Sequence, residues 1–168
     1  MLAALPLLGS SPAASAQPPS LQDMQLAGRV LHFQAAQPSG AMVVAIAYNA
    51  ADPQSRDEAA AVQALLGTGL GVDNLILQPV LVEQRELIGP AAYDAIFSAT
   101  GVDAGLLGAA LRVRHIPCLT RQLEQVQSGS CIVAIRSAPS VGIVLNTANA
   151  AASGVRFATA FRMMVEEP

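Results

Sequence analysis

Charge is scarce in this sequence. Asp, Glu, Lys and Arg together make up 12% of its 168 residues, and the net charge is −3. Binding to nucleic acid or to an anionic membrane surface needs a basic field, and this balance supplies none. Only Arg112, Arg114 and Arg121 group loosely, and three arginines on a helix edge are expected to form a solvated face. Histidine and cysteine are scarce as well: His32 and His115, Cys118 and Cys131. Four ligands at that scattered spacing do not make a zinc site, so no metal is expected. His32 is expected at a helix terminus or on the surface.

The chemistry-bearing motifs are missing too. There is no Gly-x-Ser-x-Gly elbow, no His-Glu-x-x-His and no P-loop. The cluster Gly67–Gly71 follows a helical pattern, whereas a phosphate-binding loop follows a strand and precedes a helix. Asp52, Asp57, Glu58, Asp73, Asp94 and Asp103 scatter over loops and helix starts, where capping and the helix dipole use carboxylates. The expectation is a protein that is not an enzyme and carries no cofactor.

What is abundant is apolar. Hydrophobic residues reach 52%, enough to bury a core and to argue against disorder, and the length suits one domain. Residues 1–16 read as a signal peptide: a short apolar core from Leu2 to Leu8, then Ala14-Ser15-Ala16, which fits the small-x-small cleavage rule. No basic residue precedes that core; a start assigned too late would explain this, and a chance apolar tail is the alternative. Cleavage would leave Gln17 first. No later run approaches the ~20 apolar residues of a membrane span, so no span is expected after cleavage. In an oxidising compartment Cys118 and Cys131 can pair; two buried thiols on neighbouring strands is the other reading, and the residues leave both open.

Along the chain, Leu21 to Gln34 has one-faced helical periodicity. Met42 to Tyr48 is a continuous apolar run, the mark of a strand covered on both faces. A helix is expected over Arg56 to Leu66, with Ser55 and Glu58 as a reciprocal capping box. Strands follow at Leu75–Val82, with Pro79 at an edge or bulge, and at Tyr93–Ser98. A helix over Asp103–Arg112 precedes a short strand at Pro117–Thr120, and a short helix runs from Arg121 to Gln127. Cys131–Ile135 and Val141–Leu145 are two strands joined by a turn at Pro139-Ser140, after which Asn146 to Asn149 can cap a small Ala-rich helix. Val155 to Val165 is expected as a second terminal helix. This alternation argues α/β, with a largely parallel sheet and helices on both faces.

The ending, from Ile116-Pro117-Cys118-Leu119-Thr120 through Cys131–Arg136, Val141–Leu145, Asn146 and Gly154–Val165, resembles that of the YfiR-like family of periplasmic regulators. The front, a helix ending shortly before Pro38 and then an apolar strand, fits as well. Two departures stand out: Gln37 where the family often has an aromatic, and a second strand over Val141–Leu145 that lacks the usual charges. The resemblance implies a single domain over 17–168, periplasmic, often a homodimer, with a fold similar to one lobe of an ABC-transporter substrate-binding protein. It implies a regulator that binds and restrains an inner-membrane signalling protein, a cyclase or kinase, typically a diguanylate cyclase. A small-molecule-binding lobe is the alternative, with its ligand beyond the strand ends Tyr48-Asn49, Ser98-Ala99-Thr100 and Thr120-Arg121. Family cysteines form disulfides, without a clear match to Cys118 and Cys131. The expected partner surface is Leu31 and Phe33 together with Arg156, Phe157, Phe161, Arg162 and Met164, since interfaces concentrate aromatics, Met and Arg.

Overall fold

The computed structural model describes residues 17–168, so the expected signal peptide over 1–16 lies outside the described residues. The chain begins with α1 (Leu21–His32), whose start is a reciprocal box. The Ser20 hydroxyl accepts from the Asp23 amide at 3.1 Å, and the Asp23 carboxylate accepts from the Ser20 amide at 3.0 Å. Two orphan donors are thereby satisfied at once. The apolar stripe Met24, Ala27, Val30 and Leu31 is buried. Gly28 lies so close to Val72 that an added Cβ would sit 2.6 Å from the valine Cβ, which lets helix and strand touch.

β1 (Gly40–Tyr48) is the central strand, buried from Val44 to Ala47. α2 (Pro53–Leu66) follows, then β2 (Leu70–Val72) and β3 (Leu75–Glu83). A 3₁₀ turn (Gln84–Glu86) leads to β4 (Ala95–Ser98), α3 (Ala104–Arg114), β5 (Cys118–Thr120), α4 (Leu123–Gln127) and β6 (Val133–Arg136). The chain closes with β7 (Gly142–Leu145), α5 (Thr147–Ala152) and α6 (Thr159–Arg162). All the strands lie in one seven-stranded sheet, ordered β2-β3-β1-β4-β5-β6-β7. The five from β3 to β6 are parallel; β2 and β7 run antiparallel at the two edges. The fold is the expected α/β class. The chain moves outward from β1 through α2 and, in the other direction, from β4 through α3 and α4; the right-handed crossover rule then puts those helices on opposite faces.

Several local expectations are corrected. α2 starts at Pro53, with Asp52 as its cap: the Asp52 side chain accepts from the Gln54 amide at 3.0 Å. Pro53 is favoured at that first position because its missing N–H would have had no helical partner. Ser55 and Glu58 form no capping box; both turn toward neighbouring strand ends. The glycine cluster after α2 contains β2, too short and glycine-rich to announce itself as a strand. Pro79 lies in β3 beyond the three residues that β2 covers, so among the described residues it faces no strand on that side.

The terminal helix shrinks to α6. Before it, Phe157 forms an isolated bridge with Gln34, and the Ala35 amide donates to the Arg156 carbonyl at 2.9 Å. After it, Glu166 bridges to Val144. Periodicity over Val155–Val165 counted apolar residues that in fact anchor an extended strap. Arg114 is no part of a solvated face either. Its guanidinium lies 3.8 Å above the Tyr93 ring and donates to the carbonyls of Leu87, Gly89 and Ala91, tying down the loop before β4.

Candidate functional site

β1 leads outward to β3 on one side, while β4, on its other side, leads to β5 and β6, so the strand order reverses between β1 and β4. In open parallel sheets a crevice opens at such a reversal, beyond the carboxyl ends of the strands. Here those ends are closely tied together. The Asn49 amide donates to Ser55 Oγ at 2.8 Å, and the Asn49 side chain donates to the Gly101 carbonyl at 3.0 Å. Gly101 has φ +73°, and a Cβ there would sit 2.1 Å from Asp52 Oδ2, so glycine is required on both counts. Thr120 Oγ1 donates to the Ser98 carbonyl at 3.0 Å and accepts from the Gln122 amide at 3.0 Å.

Three charged side chains meet above this floor. Arg121, at the end of β5, places Nε 3.2 Å from Asp23 Oδ2 and Nη1 3.6 Å from Glu58 Oε1. Both are ion pairs, and neither has the geometry of a hydrogen bond. Arg121 Nη2 also donates to the Gln17 carbonyl at 2.7 Å. Glu58 Oε2 accepts from the Thr100 amide at 2.7 Å, whereas its buried Oε1 has no hydrogen-bond partner among the described residues. Gln125, 8% exposed, repeats the pattern: Nε2 donates to the Ala99 carbonyl at 3.0 Å, and the buried Oε1 is left unpaired. A cavity of about 330 Å³ opens here between the arm Gln17–Pro19, Gln54, Glu58 and Ala61 of α2, Thr100 and Arg121.

The two carboxylates of this cluster differ in titration. Burial pushes the Glu58 carboxyl above its ordinary value, and the Thr100 amide and Arg121 only partly offset that. Burial also raises Asp23, but the Ser137 and Ser20 hydrogen bonds and the Arg121 charge outweigh it and hold Asp23 below its ordinary value. Asp23 Oδ1 takes the Ser137 hydroxyl at 2.6 Å and the Ser137 amide at 3.2 Å, which pins the start of α1 to the end of β6. Asp23 thus balances Arg121, and Glu58 is the surplus carboxylate. What the arrangement offers is hydrogen-bond acceptance and negative charge for binding. The histidines stand elsewhere: His32 lies edge-on to Phe33, and His115 Nδ1 sits 3.0 Å from the Ser153 carbonyl. Among the described residues no group of three or more His, Cys, Asp or Glu is placed to hold a metal.

Cys118 and Cys131 form a disulfide, with Cα atoms 5.2 Å apart and neither residue exposed. It joins the start of β5 to the lead-in of β6 and closes the loop that contains α4.

The residues expected to make a partner surface divide. Leu31, Phe157 and Phe161 are 1%, 6% and 2% exposed and belong to the hydrophobic core, so they are not available to a partner in this fold. Phe161 stacks on Phe33 at 5.1 Å and packs against Phe157 at 5.3 Å, and Phe33 is half-buried by that contact. Arg156, Arg162 and Met164 do face solvent, with Met163 beside them. Arg156 and Arg162 line a second cavity of about 460 Å³, bounded by Thr147, Ala150, Ala151 and Phe157. Among the described residues no helix is long and apolar enough to cross a membrane.

No protein-family model matches this chain, and no curated protein matches it at a significant level.

Composition could not reveal the Asp23–Arg121–Glu58 cluster, because its members are 35 and 63 residues apart in sequence and meet only through the sheet. One signal pointed toward it: Thr120-Arg121 at a strand's carboxyl end, where a polar residue is placed to face the crevice. Asp23, acidic within an otherwise apolar helix face, was a second signal; its capping role accounts for only part of its bonding.

Proposed function

We propose that this protein is a non-catalytic regulatory domain of the periplasm that works by contact with an inner-membrane signalling protein, a diguanylate cyclase being the kind the resemblance implies. The observation that carries the reading is the buried Cys118–Cys131 disulfide, which fits a protein matured in an oxidising compartment. The exposed arginines and methionines of the terminal strap supply the contact surface: Arg156, Arg162, Met163 and Met164. Tagged protein should co-purify one membrane signalling protein, and Arg156→Glu with Arg162→Glu should release it while the fold is kept. If no membrane protein is retained, and deletion leaves cyclic-di-GMP and membrane-kinase output unchanged, the reading fails.

A second reading is a small-molecule-binding lobe, favoured by the crevice at the strand-order reversal and by Glu58 on its wall, whose Oε1 has no hydrogen bond among the described residues. A thermal-shift screen with amino acids, sugars, nucleobases and amines tests it; a screen without any hit removes it.

A further inference from the structure

Unpaired buried acceptors are expensive, because each has given up water without gaining a donor. Among the described residues three buried side-chain N or O atoms lack partners, and two of them, Glu58 Oε1 and Gln125 Oε1, belong to residues bonded to successive positions at the end of β4. Both are acceptors, and Glu58 lines the cavity, so the demand left unmet there is for a donor. Charge points the same way. Asp57 and Glu58 on the cavity wall, with Asp23 on the far side of the same ion cluster, set three carboxylates against the single guanidinium of Arg121, which lies 3.2 Å from Asp23 and 3.6 Å from Glu58 Oε1. Glu58 is 8% exposed, lines the cavity and keeps one oxygen without a hydrogen bond.

We propose that the crevice beyond β1, β4 and β5 binds a small organic cation, a primary ammonium or guanidinium, whose N–H groups bond Glu58 Oε1. The inference rests on the small-molecule reading and names its ligand class. A cavity of about 330 Å³ suits a compound the size of a diamine or a short guanidinium. Asp57, on the cavity wall, extends the acceptor surface toward a second positive end. Glu58 Oε1 is closed from solvent in this state, so entry requires one wall to move. The arm Gln17–Pro19 is that wall, with Gln17 held by its bond to Arg121.

The test uses the full domain and two probes, putrescine and agmatine, with glucose and glutamate as comparators at constant ionic strength. Titration calorimetry and thermal shift should give saturable binding of at least one cation and none of the comparators. Glu58→Gln keeps an acceptor for the Thr100 amide but removes the charge, and it should weaken cation binding tenfold or more. Ala61→Phe fills the cavity while leaving the Glu58 carboxylate in the chain and should abolish binding; it serves if Glu58→Gln does not fold. Saturable binding of neither cation overturns the proposal, as does affinity unchanged in the variants or tighter binding of glutamate. If glucose or glutamate binds while the cations do not, the cation class falls and the ligand-lobe reading stands; if none of the four binds, the cation class falls, and the ligand-lobe reading falls with it once the wider thermal-shift screen is also without a hit.

Discussion

Breaking the Cys118–Cys131 bond should cost this domain about 3 kcal/mol. The two cysteines are 13 positions apart, and a cross-link of that span removes loop-closure entropy from the unfolded chain worth about 3 kcal/mol at 25 °C. The folded side adds little, because both cysteines are fully buried and two reduced thiols fill nearly the same space. A typical domain is stable by about 5–15 kcal/mol, so the loss takes roughly a fifth to three fifths of the total. The perturbation is either reduction in denaturant or the double substitution Cys118→Ala with Cys131→Ala. Urea unfolding followed by circular dichroism gives the difference. With a slope of roughly 1–3 kcal/mol per molar, the midpoint should fall by about 1–3 M. Because neither cysteine is exposed, thiol reagents should leave the native protein intact and act only as it opens. Amide exchange should speed up first in α4, a five-residue helix without a side-chain cap that sits inside the closed loop. A midpoint shift corresponding to less than 1 kcal/mol would refute the loop-entropy argument and mean that the unfolded chain is already constrained there.

Two further outcomes are expected. Stability should depend on pH in two opposed ways at the Arg121 cluster. Asp23, held below its ordinary value of 3.8, contributes stability that is present above that value and lost as pH falls through its lower folded value; Asp23→Asn should flatten this acid limb in pH-resolved urea melts. Glu58, raised above its ordinary value of 4.5, binds its proton more tightly when folded, so stability declines as pH rises from 4.5 through the folded value, and Glu58→Gln should remove that decline. An unaltered pH profile in both variants would contradict the assigned environments. Phe161→Ala should destabilise by about 3–5 kcal/mol, as expected for truncating a buried aromatic, so any lost partner binding in that variant reports unfolding. A thermal midpoint unchanged by Phe161→Ala would show that the stack with Phe33 and Phe157 contributes nothing.

The α/β class, the central strand at Met42–Tyr48 and the strand pair near the end were legible in the sequence because they rest on local pattern. β1 is continuously apolar, and only a strand covered on both faces tolerates that. The capping of α5 was legible for the same reason: Asn146 Oδ1 accepts from the Asn149 amide at 2.8 Å, a bond set within four residues. What was missed depends on distant contacts. Ser55 and Glu58 have the spacing of a capping box, but the Asn49 and Thr100 amides at the strand ends compete for the same oxygens and win them. Leu31, Phe157 and Phe161 were read as surface because a strap that crosses back over α1 cannot be seen in a window of eleven residues. The apolar periodicity was real; its partner was another segment of the same chain.

The sheet's outer flank has a consequence for how this protein behaves at high concentration. β2 covers only Leu75 to Leu77, so among the described residues the outer side of β3 has no neighbouring strand from Gln78 to Glu83, and Val80 and Leu81 are 38% and 39% exposed. An open strand with apolar side chains is a template on which another molecule can polymerise. Pro79 interrupts that template, because it carries no N–H and leaves a gap wherever an incoming strand would seek a donor. That single imino acid therefore works against strand-by-strand addition along this flank when the protein is concentrated.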